Sequence, residues 1–166
     1  MALFVHLAAE KDVPGIRRAG LRFPKYRGGV YALPVLPNFF TSHQWLRELK
    51  RRGTRTIVAV YFRIPDTEPV LVGRYNREHV ALTAGEAAAW VMRAPDALGM
   101  QVIVPRPIGG QEIHRVRRLP QNVGWRYQPG ARAYCRDNAI SPLVFPGEIK
   151  ARRRRTFFMK KEIGGR

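Results

Sequence analysis

Four arginines in succession, Arg152 to Arg155, follow Lys150 and precede Lys160 and Lys161, and Phe157 and Phe158 lie within the run. Closely spaced cations beside flat rings suit a nucleic-acid strand, because guanidinium forks hold phosphates bidentately and aromatic faces stack on bases. Six phosphate contacts of this kind give a log–log salt slope of about −5 on duplex DNA and about −4 on single strands. Upstream, Trp125-Arg-Tyr127 and Arg132-Ala-Tyr134 repeat the pairing of cation and ring, which fits base stacking and a packed extension equally well. Two further residues have types that do chemistry. His6 closes an apolar stretch with an imidazole that can donate or accept a hydrogen bond, and Tyr31 presents a ring that can stack. Read singly, each is ordinary: a hydrogen-bonded structural histidine and a half-buried strand aromatic. Metal chemistry has little to stand on, since Cys135 is the single cysteine, the four histidines lack zinc-like spacing, and no acidic pair is placed to hold divalent ions.

The charge balance points the same way as the arginine run. Thirty Lys and Arg stand against 12 acids, a formal net charge of +18 in 166 residues, and such a surplus self-repels unless a counter-charge is normally near. It is concentrated late: residues 114–166 hold 14 Lys/Arg and 3 acids, whereas residues 1–113 hold 16 and 9. The length fits one domain with a real core. The longest apolar runs are too short to span a bilayer, and the N-terminal stretch lacks the basic flank and long apolar centre of a secretory signal, so the expectation is a cytoplasmic protein without membrane contact.

The elements that must position these residues read as follows. Ala2–Leu7 has the composition of a short strand, and Asp12–Gly20 that of a helix with Pro14 early and Gly20 as its stop. Residues 29–35 form a strand limited by Pro34. Thr41 or Ser42 caps a helix that runs to Arg52 and ends at Gly53. Thr54–Ile64 is the strongest strand, and Pro69–Val72 another. Thr83-Ala-Gly-Glu86 has capping-box spacing and opens a helix to Met92. Met100–Val104 is a strand, and Gln111–Leu119 a short helix. The order is that of an α+β protein with a central, mostly antiparallel sheet over 1–119, and residues 120–166 form a basic, aromatic-containing, partly ordered C-terminal extension.

Leu3-Phe-Val-His6-Leu, Val13 to Ile16, Ala19-Gly-Leu21 and Gly29-Val-Tyr31-Ala resemble the opening of ADP-ribosyltransferases with the His-Tyr-Glu signature, especially nucleic-acid-modifying toxins of the DarT kind. The resemblance implies a transferase fold, NAD as substrate without a metal, and an antitoxin or other acidic partner beside the nucleic acid. It gives His6 the adenosine ribose and Tyr31 the nicotinamide ring. It places Arg22 near the NAD phosphates, and Phe40 with Phe39 beside the nicotinamide. The family's third strand begins with Glu; its counterpart here, Gln101-Val-Ile-Val-Pro105, begins with Gln. An amide still orients the nicotinamide ribose but stabilises the developing cation only weakly. Glu112 and Glu148 are the acids available to substitute. The alternatives are a non-catalytic nucleic-acid-binding protein on a degenerate transferase fold and, third, an RNA 2′-phosphotransferase, whose several phosphate-binding motifs are not recognisable here.

Overall fold

The run Ile57–Ile64 is almost wholly β-branched or aromatic and, Arg63 apart, is buried, so it forms the spine of the molecule rather than an edge. Around it the computed structural model, which describes residues 1–23, 28–51 and 53–123, builds a seven-stranded sheet within a unit spanning Met1–Tyr127. In chain order the strands are β1 (Ala2–Ala9), β2 (Val30–Pro34), β3 (Ile57–Ile64), β4 (Pro69–Arg74), β5 (Val80–Thr83), β6 (Met100–Val104) and β7 (Ile113–Arg118). Helix α1 (Val13–Ala19) follows β1, α2 (Phe39–Ser42) and α3 (Leu46–Arg51) follow β2, and α4 (Ala84–Arg93) follows β5. The sheet order is β5-β4-β6-β2-β1-β3-β7, with every pairing antiparallel. The expected α+β architecture with an antiparallel sheet is therefore present. The expected C-terminal extension, with Trp125, Glu148, Lys150, Arg152, Arg153, Arg154, Arg155, Lys160 and Lys161, lies outside the described residues.

The core fills both sides of the sheet. Phe4 and Phe62 stack at 6.0 Å between ring centroids, and Val30, Val70, Val72, Val102 and Val104 are buried. Helix α4 buries Ala84, Ala87 and Val91 and carries the expected capping box, Thr83 accepting from the Glu86 amide while the Glu86 carboxylate accepts from the Thr83 amide. Opposite β1 and β3, the turn between α2 and α3 is fastened by buried polar groups. Ser42 bonds Leu36; Gln44 donates to the Ala97 carbonyl at 2.9 Å and accepts from the Gly99 amide at 2.6 Å; Trp45 donates to the Met100 carbonyl at 2.9 Å. Each amide bond met here removes a burial cost of about 1–3 kcal/mol.

Three local expectations are corrected. Asn38, not Thr41 or Ser42, caps the helix after β2, its side chain accepting from the Thr41 amide, and the helix breaks after Ser42 before resuming at Leu46. Val80–Thr83 is an additional strand paired with β4. Residues 113–118 are a strand rather than the end of a helix. Ile113, Val116 and Leu119 recur every three residues and so imitate a helical face, but a bulge in the β3–β7 ladder absorbs the odd spacing. Ile113 pairs with Phe62 and Val116 with Val60, so both apolar side chains share one pleat although they are three residues apart.

Candidate functional site

The sheet places the three expected catalytic residues on three adjacent strands, His6 on β1, Tyr31 on β2 and Gln101 on β6. Tyr31 pairs with Ile103, and Gln101 lies two residues along β6 from Ile103, so Tyr31 and Gln101 share a face. Diagonal neighbours of this kind have backbones about 7–8 Å apart, within reach for long side chains. The buried valines of β2, β4 and β6 alternate with Tyr31, Leu71 and Gln101, which are partly exposed, although Leu33 and Ile103 on the same face are buried.

His6 enters differently. The β1–β2 ladder holds only at Phe4↔Pro34 and Val5↔Leu33, and alternation puts Val5 and Leu33 on the Tyr31 face and His6 on the other. The His6 ring sits at the seam where the ladder stops, and its Nδ1–H donates to the Tyr31 carbonyl at 2.7 Å. That bond makes Nδ1 the donor. It also ties the histidine to the backbone that carries Tyr31.

Gln101 is held by a residue that sequence reasoning did not select. Its Nε2 donates to Nε2 of His79 at 3.0 Å, and His79 also makes a backbone hydrogen bond with Arg77. Burial holds His79 below the ordinary histidine value, which keeps the ring neutral and able to accept from the amide. Gly73 makes the contact possible: it pairs with Gln101, and a Cβ there would stand 2.7 Å from the Glu78 carbonyl oxygen and 3.1 Å from the His79 ring. Nothing in the spacing of the four histidines marks His79; only the β4–β5 hairpin brings it to Gln101.

A second buried pair sits on the Tyr61 face. His43 Nδ1–H donates to the Phe39 carbonyl at 2.8 Å, and the Tyr61 hydroxyl donates to His43 Nε2 at 2.8 Å. Burial lowers the His43 pKa and raises that of Tyr61, the latter opposed by the nearby Arg115 and Arg117. Phe39 stacks on His43 at 4.2 Å between ring centroids; both Phe39 and Phe40 are exposed, as is Arg22, which follows the Leu21–Ile108 bridge. Glu112 is committed elsewhere. With Glu68 it clamps Arg106, whose guanidinium donates bonds of 2.7 and 2.9 Å to Glu112 and of 2.7 and 3.1 Å to Glu68, and it also accepts from the Gly109 amide. Arg106 holds the Glu112 carboxyl below the usual range.

Two surface concavities border this region without including His6, Tyr31 or Gln101, one lined by Arg63, Arg106, Glu112 and His114, the other by Gly73, Arg74, Trp90 and Met100. Among the described residues no three His, Cys, Asp or Glu side chains are grouped to hold a metal ion, and no helix is long and apolar enough to cross a membrane. Comparisons with known protein families, with characterised proteins and with solved structures gave no match.

Proposed function

We propose that this chain is an NAD-dependent ADP-ribosyltransferase of the toxin or defence type that acts on nucleic acid in the cytoplasm. The observation that supports it most is that Tyr31 and Gln101, far apart in the sequence, share one face on the adjacent strands β2 and β6, while His6 on β1, on the opposite pleat, is tied to the Tyr31 backbone carbonyl. In this reading NAD lies against the face that carries Tyr31 and Gln101, Tyr31 stacks on nicotinamide, and Gln101 orients the nicotinamide ribose. His6 holds the adenosine ribose from the seam, with Arg22 and Phe40 at the margin. The bond between the ribose C1′ and the pyridinium nitrogen breaks, nicotinamide leaves with the electron pair, and a base or terminal phosphate oxygen bonds to C1′ and releases its proton where it carries one. The C-terminal cations, Lys150, Arg152 to Arg155, Lys160 and Lys161, with Trp125, hold the acceptor strand. The surplus of +18 explains why an acidic antitoxin is the expected protein partner.

A second reading, a nucleic-acid-binding protein without chemistry, is favoured by one observation. The Gln101 amide is engaged by His79, and Glu112, a carboxylate available to replace the family's Glu, is engaged by Arg106. Nicotinamide release with and without nucleic acid separates the two. The transferase reading requires release that falls at least tenfold in both Tyr31→Ala and His6→Ala with folding intact. Absence of release from the wild type under every nucleic-acid condition leaves the binding protein.

A further inference from the structure

The bulge that turns Ile113 and Val116 inward turns Arg115 and Arg117 to the opposite pleat, beside Tyr61 and Ala59 of β3. Arg63, two residues after Tyr61, is on that same pleat. Three arginines thus line one face at the β7 edge of the sheet, those on β7 about 7 Å apart along the strand. None of the three pairs with a carboxylate among the described residues, whereas Arg118, on the other pleat of the same strand, is neutralised by Glu10 at 2.8 Å. The Arg115 guanidinium lies 4.7 Å from the Tyr61 ring centroid, and Tyr61 is itself anchored by His43. Stacking on a ring orients a guanidinium without consuming its hydrogen-bond donors.

We propose that this face of β3 and β7 is a docking strip for the phosphate backbone of a nucleic-acid strand, read by Arg63, Arg115 and Arg117. The inference rests on the nucleic-acid part of the function proposed above and not on its chemistry. The strip shares its face with Tyr31, from which β7 is three strand spacings away, about 14 Å. A strand held there lies on the sheet face that carries Tyr31, and β3 and β7 grip it independently of the C-terminal arginine run. Edge strands also carry charge simply to avoid pairing with other chains. That role needs neither an oriented guanidinium nor a single sign, so the two are separable.

The test is anisotropy of a fluorescein-labelled single-stranded oligonucleotide of about 20 bases, titrated with the full-length chain across a salt series. Three lost contacts flatten the log–log salt slope by about 2 and weaken binding on the order of a hundredfold at about 0.1 M salt. That loss is expected for the triple variant Arg63→Gln, Arg115→Gln, Arg117→Gln. The triple Arg63→Lys, Arg115→Lys, Arg117→Lys keeps the slope, which shows that the site folds and that phosphate is what it meets. Arg17→Gln, Arg18→Gln, Arg93→Gln removes the same charge from exposed helical positions and leaves binding within about twofold. Equal losses in the two glutamine triples overturn the proposal, since they reduce it to net charge. So does an acidic peptide of matched charge that competes as well as the oligonucleotide. The readout involves no NAD, so failure of the transferase chemistry leaves the strip standing, and failure of the strip leaves the chemistry standing.

Discussion

Replacing Gln101 by Glu supplies the carboxylate that the His-Tyr-Glu resemblance expects, and the structure says what else must change. The amide now donates to His79 Nε2 at 3.0 Å; a carboxylate there presents lone pairs to a lone pair, and the contact re-forms only when His79 takes a proton on Nε2. An opposite charge at about 4 Å is worth about 4 kcal/mol at an effective dielectric constant of 20. Desolvating a half-buried carboxylate cancels much of this, leaving a net of about 1–2 kcal/mol, roughly a tenfold bias toward protonated His79. Burial holds the wild-type ring low, so the variant ring titrates at higher pH. Ring-proton NMR across a pH series reads this directly. Nicotinamide release, measured near pH 8 where the new carboxylate is less neutralised, carries the functional arm. One electrostatic contact to a developing charge is worth about 2.7–4 kcal/mol, hence a gain of roughly 10²- to 10³-fold. A His79 titration that does not move refutes the geometry of the site. Unchanged nicotinamide release in a variant whose His79 has moved refutes the role given to position 101.

Arg106→Ala removes four charged hydrogen bonds from two carboxylates that are each 18% exposed, so its cost falls between that of a surface pair and a buried one, about 2 kcal/mol; urea unfolding should show a lower midpoint at unchanged slope. Gly29→Ala drives a Cβ to 2.4 Å from the Val104 carbonyl oxygen, where β2 meets β6, and is expected to cost at least about 2 kcal/mol and to disturb the neighbouring Tyr31, read by thermal unfolding and NAD binding. His43 and His79 are both held below the ordinary value of 6.5 by burial, so below pH 6.5 the unfolded chain binds more protons than the folded one. Stability is therefore full above about pH 6.5 and declines as pH falls from there toward the folded-state values, by up to about 1.4 kcal/mol per pH unit for each proton, which urea midpoints at pH 7.5 and 5 will report.

The elements that local chemistry dictates were legible in the residues. Thr54–Ile64 is the strongest strand by composition, and all but its first three residues form the buried spine Ile57–Ile64; the Thr83–Glu86 spacing marks the cap of α4. What escaped was decided by tertiary pairing. Residues 113–119 place apolar side chains every third position, and only the partner strand β3, through its bulge, shows that this is a strand. Asn38 is hidden in the sequence because two hydroxyl residues follow it at equally plausible cap positions. At the candidate site, short motifs select His6, Tyr31 and Gln101, whereas nothing local selects His79 or the Tyr61–Arg115 stack. Their contacts join residues 22 and 54 positions apart, and no local pattern carries such a distance.

The decisive experiment is calorimetric titration of NAD into the full-length wild type and Tyr31→Ala at moderate salt. Saturable binding by the wild type is expected, with binding at least tenfold weaker in the variant, which retains the wild-type circular dichroism. Equal binding by both proteins, or none by the wild type, contradicts the proposed function.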